Sequence, residues 1–458
     1  MSPNIRRVVA RFGAALAFGA PLAVLAADHG VLFRFESGLS PKQMGAQTRH
    51  AVSVSRAHAS NAIGPGLGID VPMPDGRSRH FEYRHHEAAI DGNWTWFGRS
   101  DEGLDTVLTF GERAVFGRID RGDREALQLT TDHGRVWLVE TDPARHAPDQ
   151  TLRLDDDVQI PPGHGEREVT AWTALESPAE TSAKGTALVD VVIGFTAGLA
   201  TKYGGPSEAT TRLVNLVALS NAGLGNSLVN SRLRLVHALQ VYYTDDNSNL
   251  QALEALTGVS CNPTCTPQSV PAALLPLRSA RDTYGGDLVA LVRPNRAPQQ
   301  QNCGRAWLLG GGGFSIDNSD SPYAYAVVSD GVDLNENSGF SELCNDHALA
   351  HELGHTLGQQ HNVNDSGGNS GTHAYSYGYR EASSTGFYTI MAYRLANSSQ
   401  FSINHFGSPN VSYSGRPTGT AGADNARSLN LTMPLVAQFR ASVVSEIDLF
   451  ADGFETPP

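Results

Sequence analysis

The stretch covering residues 351–361 constrains the fold more than any other part of the chain. It reads HELGHTLGQQH, so His351 and His355 stand four residues apart and lie one above the other on a single helix face. Gly358 can adopt the left-handed conformation that ends a helix, and the resulting turn would bring His361 back towards the first two imidazoles. Three neutral imidazoles leave the fourth position of a zinc ion open, which is typical of catalytic rather than structural zinc sites.

Glu352 follows the first histidine and can point into the same cleft without binding the ion. The full pattern HExxHxxGxxH fixes five residues, and its chance occurrence in a chain of this length is on the order of one in ten thousand. The alternative is a helix with exposed histidines and an accidental glutamate. The long form of the motif favours a zinc site over that alternative.

His347 lies one turn before His351 on the same helix face and therefore needs separate consideration as a ligand. Ala348 follows it instead of a glutamate, and no glycine and histidine would complete its ligand set. We therefore expect His347 to pack behind the ligands or contact them, and not to bind metal.

A second element lies downstream in residues 387–393, which read FYTIMAY. Together with the HExxHxxGxxH motif it resembles the metzincin metallopeptidases, which place a methionine in a tight turn beneath the zinc. The resemblance implies that Met391 packs under the imidazoles without binding metal. It also implies that Glu352 is the general base of peptide hydrolysis by zinc-activated water. Tyr393 would be an extra ligand or a hydrogen-bond donor to the transition state.

The resemblance covers roughly residues 188–442, and within the clan the chain is most similar to bacterial reprolysin-like and peptidyl-Asp metallopeptidases. The TIMAY sequence of residues 389–393 and the absence of a cysteine before Cys261 favour that branch. It implies a zinc metalloendopeptidase that cuts beside aspartate, although the sequence identifies no cation for such a preference. The alternatives are a secreted binding or adhesion protein with an inactive zinc site, and a zinc amidase acting on cell-wall peptides.

The N-terminus is typical of a secretory signal peptide. Three arginines within the first eleven residues precede an apolar stretch at 12–25, and small residues follow it. We expect residues 1–27 to be removed near Ala26 or Ala27. No later segment is long and apolar enough to cross a bilayer, so the sequence predicts a secreted, extracellular protein with no membrane partner after signal removal.

The chain carries 34 basic and 47 acidic residues, for a net charge of −13. This balance argues against nucleic acid or an anionic membrane as the main partner. We expect a monomer that acts on protein or peptide substrates. Beyond Zn²⁺, Asn364 and Asp365 in a polar loop are candidate ligands for Ca²⁺.

Four cysteines, Cys261, Cys265, Cys303 and Cys344, are expected to form disulfides in a secreted protein. Three pairings are possible and the sequence does not choose among them. We favour Cys261 with Cys265 and Cys303 with Cys344.

The region before the motif divides into two parts. Residues 28–149 alternate apolar and polar side chains in several stretches, with turns at Asp91-Gly92 and His133-Gly134, and predict a β-rich unit. We interpret it as the propeptide of a zymogen; the alternative is an accessory binding domain. With no cysteine available, inhibition would need occlusion or another ligand such as an aspartate or a histidine. The acidic, proline-containing residues 150–187 predict a linker that contains the processing site.

Residues 188–442 predict the catalytic domain. Buried strands and helices alternate as β-α-β-α-β, which favours an α/β (α+β) fold with a twisted, mostly parallel sheet and the zinc helix. A stretch at 303–310 is similar to the metzincin strand that pairs with substrate as an added strand. Residues 443–458 form a short C-terminal tail.

Overall fold

The computed structural model describes residues 30–145, 157–162, 187–261, 264–335, 337 and 340–444. The predicted signal peptide, most of the predicted linker and the tail beyond residue 444 lie outside the described residues. Residues 30–145 are termed the N-terminal unit and residues 187–444 the C-terminal unit. No helix formed by the described residues is long and apolar enough to cross a membrane.

The N-terminal unit is an eleven-stranded sheet with one short helix, α1 (Arg56–Asn61). Its neighbouring strands are antiparallel except for β1 and β5, and the order is β1-β5-β6-β7-β8-β9-β10-β11-β4-β2 with β3 beside β4. The strands are β1 (Gly30–Val31), β2 (Phe33–Phe35), β3 (Lys42–Met44), β4 (Gln47–Val54), β5 (Gly68–Pro72), β6 (Ser78–Ala88), β7 (Trp94–Arg99), β8 (Asp105–Phe110), β9 (Val115–Ile119), β10 (Leu127–Asp132) and β11 (Arg135–Thr141).

The predicted turns of this unit are present. His133 and Gly134 join β10 to β11 with φ angles of 47° and 76°, the left-handed pair that a two-residue hairpin requires. Asp91 and Gly92 lie between β6 and β7 with φ angles of 57° and 69°. The region is therefore β-rich as expected, while its role as a propeptide stays a prediction.

The C-terminal unit and β12, from residues 157–162, form a seven-stranded sheet in the order β12-β18-β19-β17-β13-β14, with β20 beside β19. Four neighbouring pairs are parallel, and β18 and β20 each run antiparallel to β19. The sheet strands are β12 (Val158–Gln159), β13 (Leu188–Thr196), β14 (Arg232–Val241), β17 (Leu288–Pro294), β18 (Gly304–Trp307), β19 (Tyr325–Asn335) and β20 (Phe340–Cys344). Three two-stranded sheets add β15 (Val259–Cys261), β16 (Cys265–Pro267), β21 (Phe387–Tyr388), β22 (Phe401–Ser402), β23 (Ser412–Tyr413) and β24 (Arg416–Pro417).

Among the described residues of this unit, six α-helices pack on the sheet or follow it. They are α2 (Ala197–Tyr203), α3 (Pro206–Asn226), α4 (Asn249–Thr257), α5 (Leu275–Thr283), α6 (Ala348–Thr356) and α7 (Asn425–Val436). The predicted β-α-β-α-β order agrees with β13, α3, β14, α4 and β17, but α2 and α5 were not predicted. Both favoured disulfides, Cys261–Cys265 and Cys303–Cys344, are present.

Within the predicted linker, residues 157–162 contain a short strand that the sequence did not predict. Val158 and Gln159 form β12, which pairs in parallel with Ala306 and Trp307 of β18. Asp157 and Val158 are buried. An edge strand of two residues is too short to produce a period in the sequence, so the acidic and proline-rich surroundings dominated the prediction.

The two units share a polar interface along α3. Thr211 donates to the side-chain carbonyl of Asn93 at 2.7 Å, and Asn215 donates to the hydroxyl of Thr109 at 3.1 Å. Nearby, Arg118 of β9 is buried and reaches the start of α6, where its Nη1 lies 3.3 Å from Oδ1 of Asp346. Its Nε also donates to Asp120 at 3.0 Å, so a single guanidinium compensates carboxylates from both units.

Arg118→Met should destabilise the protein because it leaves Asp120 and Asp346 buried without their cation. Removing one partner of a buried ion pair costs about 3–5 kcal/mol. The change is measured as the shift in urea midpoint followed by tryptophan fluorescence. The control is Arg124→Met, which removes the exposed pair with Asp123 and should shift the midpoint little. Equal midpoints for Arg118→Met and the wild type would contradict this role for Arg118.

Candidate metal centre

The helix α6 brings the first two motif histidines together. His351 and His355 are buried, and their Nε2 atoms lie 3.2 Å apart. Their Nδ1 atoms lie 2.7 Å and 2.8 Å from the carbonyl oxygens of Ile390 and Gln359. These contacts place the proton on Nδ1 and turn Nε2 of each ring towards a common point, as the outer contacts of metal-bound histidines do.

The predicted turn at Gly358 supplies the third imidazole. Gly358 has a φ of 83°, and the amide of Gln359 donates to the carbonyl of Gly354 at 2.9 Å, which closes the helix end. A Cβ on Gly358 would stand 2.1 Å from Oγ1 of Thr372, so the position requires glycine for space as well as for conformation. The turn delivers His361 into the buried cluster.

A fourth side chain lies in the cluster, and it comes from the stretch predicted to be linker. Oδ1 of Asp157 lies 2.7 Å from Nε2 of His361 and 3.4 Å from Nε2 of His355. Its Oδ2 lies 3.3 Å from Nε2 of His351 and accepts a short hydrogen bond from the hydroxyl of Tyr393. The carboxylate would thus be within reach of an ion held by the three imidazoles.

The donor set fits zinc. Two nitrogens bound at about 2.0–2.1 Å in tetrahedral geometry lie about 3.3 Å apart, close to the separation of the first two Nε2 atoms. The four candidate ligand atoms all lie within 4.8 Å of one another. Burial lowers the pKa of His355 to about 4, so its imidazole is neutral at pH 7, the state that binds metal. His351, His355 and His361 would hold the ion, with Asp157 as a fourth ligand.

Met391 lies beneath the motif helix, as the resemblance implied. It is completely buried, and a Cβ on Gly354 would stand 2.3 Å from its sulfur. The neighbouring Ile390 carbonyl accepts from His351, so the turn that carries Met391 also orients a ligand. The methionine fills the space under the helix against Gly354.

Glu352 and Tyr393 flank the cluster. Glu352 is buried on α6, and a Cβ on Gly304 of β18 would stand 2.2 Å from its Oε1, so the carboxylate packs directly over that strand. The hydroxyl of Tyr393 lies 3.0 Å from Nε2 of His361. Both side chains line a cavity of about 180 Å³ together with His351 and Asp157. The arrangement combines a carboxylate, a hydroxyl and a metal-binding cluster in one cleft.

Two further predicted positions have other contacts. His347 is buried outside the donor cluster, which agrees with its exclusion as a ligand. Asp365 pairs with Arg380 at 2.6 Å, an ion pair that a calcium ion would have to displace. Calcium binding stays a prediction.

Sequence reasoning did not identify Asp157 as a site residue. Its neighbours in the chain, Asp155 and Asp156, give the same acidic signal. The one available hint was indirect: without a cysteine in the leader, an inhibitory ligand would have to be an aspartate or a histidine.

The chain is similar to known metallopeptidases. Residues 185–421 match the model of the reprolysin-like metallopeptidase family M12B. A peptidyl-Asp metalloendopeptidase of Stenotrophomonas maltophilia is 26% identical over 378 residues, which cover 77% of this chain and 79% of that protein. A peptidyl-Asp metalloendopeptidase of Xanthomonas campestris is 28% identical over 400 residues, which cover 83% of this chain and 84% of that protein.

A relative from Pseudomonas fragi with the same name is 36% identical over 94 residues, 20% of this chain and 59% of that protein. Among solved structures, metalloproteinase-II of Bacteroides fragilis matches with a TM-score of 0.44 and 10% identity, covering 82% of this chain and 93% of that one.

Gly358→Ala should lose bound zinc, because the new methyl group meets Thr372 and the residue resists a φ of 83°, which displaces His361. Zinc per chain is measured by mass spectrometry after dialysis. Gly415→Ala is a matched control, since Gly415 has a φ of 75° with open space around it. Full zinc content in Gly358→Ala would refute the requirement for glycine at this turn.

Proposed function

Since the chain belongs to the reprolysin-like metallopeptidase family M12B, we propose that it is a secreted zinc endopeptidase that cuts beside aspartate and is made as an inhibited precursor. The names of the peptidyl-Asp relatives support the cleavage preference, and the signal-like N-terminus supports secretion. Membership of the family makes the chain a metallopeptidase and hence a hydrolase. In this proposal the catalytic domain has the metzincin fold, and the N-terminal unit precedes it in the chain.

One observation carries the proposal: Glu352 lines the same cavity as His351 and Asp157 of the donor cluster. A binding or adhesion protein would need the metal ligands at most, and it would have no use for a buried carboxylate beside them. Burying a carboxylate lowers the stability of the folded protein unless its charge is compensated, so such a residue is not expected where it serves no function. Its place in the cleft therefore favours a peptidase over an inactive zinc site.

The mechanism assigns one task to each group. Zinc held by the three imidazoles would lower the pKa of water from about 15.7 towards roughly 7 and polarise the scissile carbonyl. Glu352 accepts the proton of the attacking water and transfers it to the leaving amine. The Tyr393 hydroxyl donates a hydrogen bond to the oxygen on which negative charge develops. The buried site excludes other water and strengthens both contacts.

The peptide substrate would bind along the edge of β18. In this structure Val158 and Gln159 pair with that edge, so its backbone groups can hold an extended chain. A peptide substrate would add a strand at the same edge, with main-chain hydrogen bonds supplying affinity and side-chain pockets supplying specificity. Glu352 packs on Gly304 at the start of β18, so the general base lies next to the bound peptide.

The contacts of Asp157 support the proposal that the protein is made as an inhibited precursor. Its carboxylate contacts all three imidazoles and the hydroxyl of Tyr393, and β12 covers the β18 edge. The position for water and the position for substrate are therefore filled by one segment, residues 157–162. Activation would remove this segment together with the N-terminal unit. No cysteine precedes Cys261, so an inhibitory ligand from the N-terminal part of the chain has to be another side chain, such as an aspartate.

Glu352→Gln should keep the fold and bound zinc but lose at least about a thousandfold in kcat, since the amide cannot accept the proton. Casein hydrolysis and zinc content are measured with and without a chelator. Asp282→Asn, an exposed change on α5, is the control and should behave as the wild type. Wild-type turnover in Glu352→Gln would remove the basis for its assignment.

Asp157→Ala in the full-length chain should show peptidase activity on a short peptide while the N-terminal unit is still attached. The reason is that the variant lacks the carboxylate that occupies the fourth position. Activity is followed by fluorescence, and mass spectrometry confirms an uncut chain at each time point. Asp75→Ala removes an exposed carboxylate of the N-terminal unit and should stay inactive until cleaved. An uncut Asp157→Ala chain as inactive as the wild type would argue against this form of inhibition.

A further inference from the structure

We infer that Arg394 is the cation that selects an aspartate of the substrate. This inference rests on the proposed endopeptidase function and deepens it by naming a specificity-determining residue. No cation could be chosen from the sequence, because an arginine in an irregular segment has no pattern that distinguishes it from a surface arginine.

Arg394 lies close to the groups proposed to carry out hydrolysis. It follows Tyr393 directly in the chain and lines the same cavity as His351 and Glu352. Among the described residues that line this cavity, it is the only lysine or arginine. It is half-buried, so its charge is only partly screened by water.

The remaining ionisable groups of the cavity sharpen the assignment. Besides histidines, its walls carry the carboxylates of Glu125, Asp157, Glu342 and Glu352. An acidic substrate side chain would be repelled by these groups, since like charges in a partly buried cleft oppose each other. Arg394 is thus the one described position on the wall where a carboxylate gains an opposite charge.

The present contacts of Arg394 also distinguish it from nearby arginines. Its Nη1 donates to the carbonyl of Ser398 at 2.9 Å and makes a short hydrogen bond to the carbonyl of Pro143. Arg380 and Arg416, by contrast, form ion pairs with acidic side chains at 2.6 Å. For Arg394, the described residues provide no such carboxylate pair.

The two carbonyl groups that accept hydrogen bonds from Arg394 belong to different units. Ser398 lies in the C-terminal unit and holds the side chain in place, whereas Pro143 lies at the end of the N-terminal unit. Removal of the N-terminal unit would take away the Pro143 carbonyl and release donors on the guanidinium. Arginine presents five N–H groups in a planar fork that matches a carboxylate with two parallel hydrogen bonds. The side chain of an aspartate would take the place that the Pro143 carbonyl now holds.

The test compares two internally quenched peptides that differ only by aspartate or asparagine at one position. The wild type, Arg394→Gln and Arg394→Lys are produced as full-length chains and activated by the same proteolytic treatment, with cleavage checked by mass spectrometry. The ratio of kcat/KM values, aspartate over asparagine, should fall about 10- to 100-fold in Arg394→Gln, as expected for the loss of charge-assisted hydrogen bonds. Arg394→Lys should retain part of the preference because it keeps the charge without the fork.

The control is Arg427→Gln, which removes an exposed arginine of α7 that lies over Tyr375 and leaves the cavity unaltered. Its ratio should equal that of the wild type. The inference is overturned if the wild type shows no preference for aspartate, or if Arg394→Gln leaves the ratio unchanged.

A binding measurement separates this inference from the peptidase function itself. In the Glu352→Gln background, fluorescence anisotropy of labelled peptides should show tighter binding of the aspartate peptide, and adding Arg394→Gln should abolish the difference. If the wild type cuts neither peptide but this difference persists, the proposed function fails and Arg394 stands as a binding determinant. If the difference is absent, Arg394 is not the selecting cation.

Discussion

The convergence of three imidazole nitrogens on one point is the constraint on which the rest of the C-terminal unit depends. Each of the first two rings is fixed from behind by a backbone carbonyl, one from the turn after the helix and one from the segment before Met391. These hydrogen bonds tie two loops to α6. A displacement of either loop would rotate a ring and separate the nitrogens, so the loops and the helix form one structural element.

The same constraint explains the glycines around the helix. Gly354 leaves room for the sulfur of Met391, and Gly358 leaves room for Thr372 while turning the chain. Gly304 leaves room for Glu352 on the neighbouring strand. Each glycine stands where a metal ligand, its support or the proposed base must approach another element closely. A methyl group at any of them would compete with the geometry of the cluster.

Much of this centre could be predicted from the sequence, because its information is local. The motif fixes the spacing of His351, Glu352 and His355 on one helix, and Gly358 marks the turn that delivers His361. The buried strands β13 and β17 and the long helix α3 have strong apolar patterns, so they belong to the alternation of strands and helices predicted from the sequence. The short helices α2 and α5 lack such length and were missed.

Contacts between distant parts of the chain could not be predicted in this way. Asp157 approaches His361 across more than two hundred residues, and Arg118 approaches Asp346 across a similar separation. Nothing in the local sequence distinguishes these charged residues from exposed ones. Arg118 reaches Asp346 because the sheet of the N-terminal unit lies against the C-terminal unit. Asp157 reaches the histidines because β12 pairs with β18. Both contacts are properties of the complete fold.

The position of Asp157 within the same polypeptide has a thermodynamic consequence. Its approach to the histidines is a unimolecular event, so the fraction of occupied sites is independent of how much protein is present. The tether gives the carboxylate an effective concentration far above that of any free acid in solution. Cutting the tether turns the contact into an ordinary bimolecular equilibrium. Under the proposed processing, dilution would then favour separation of the two pieces.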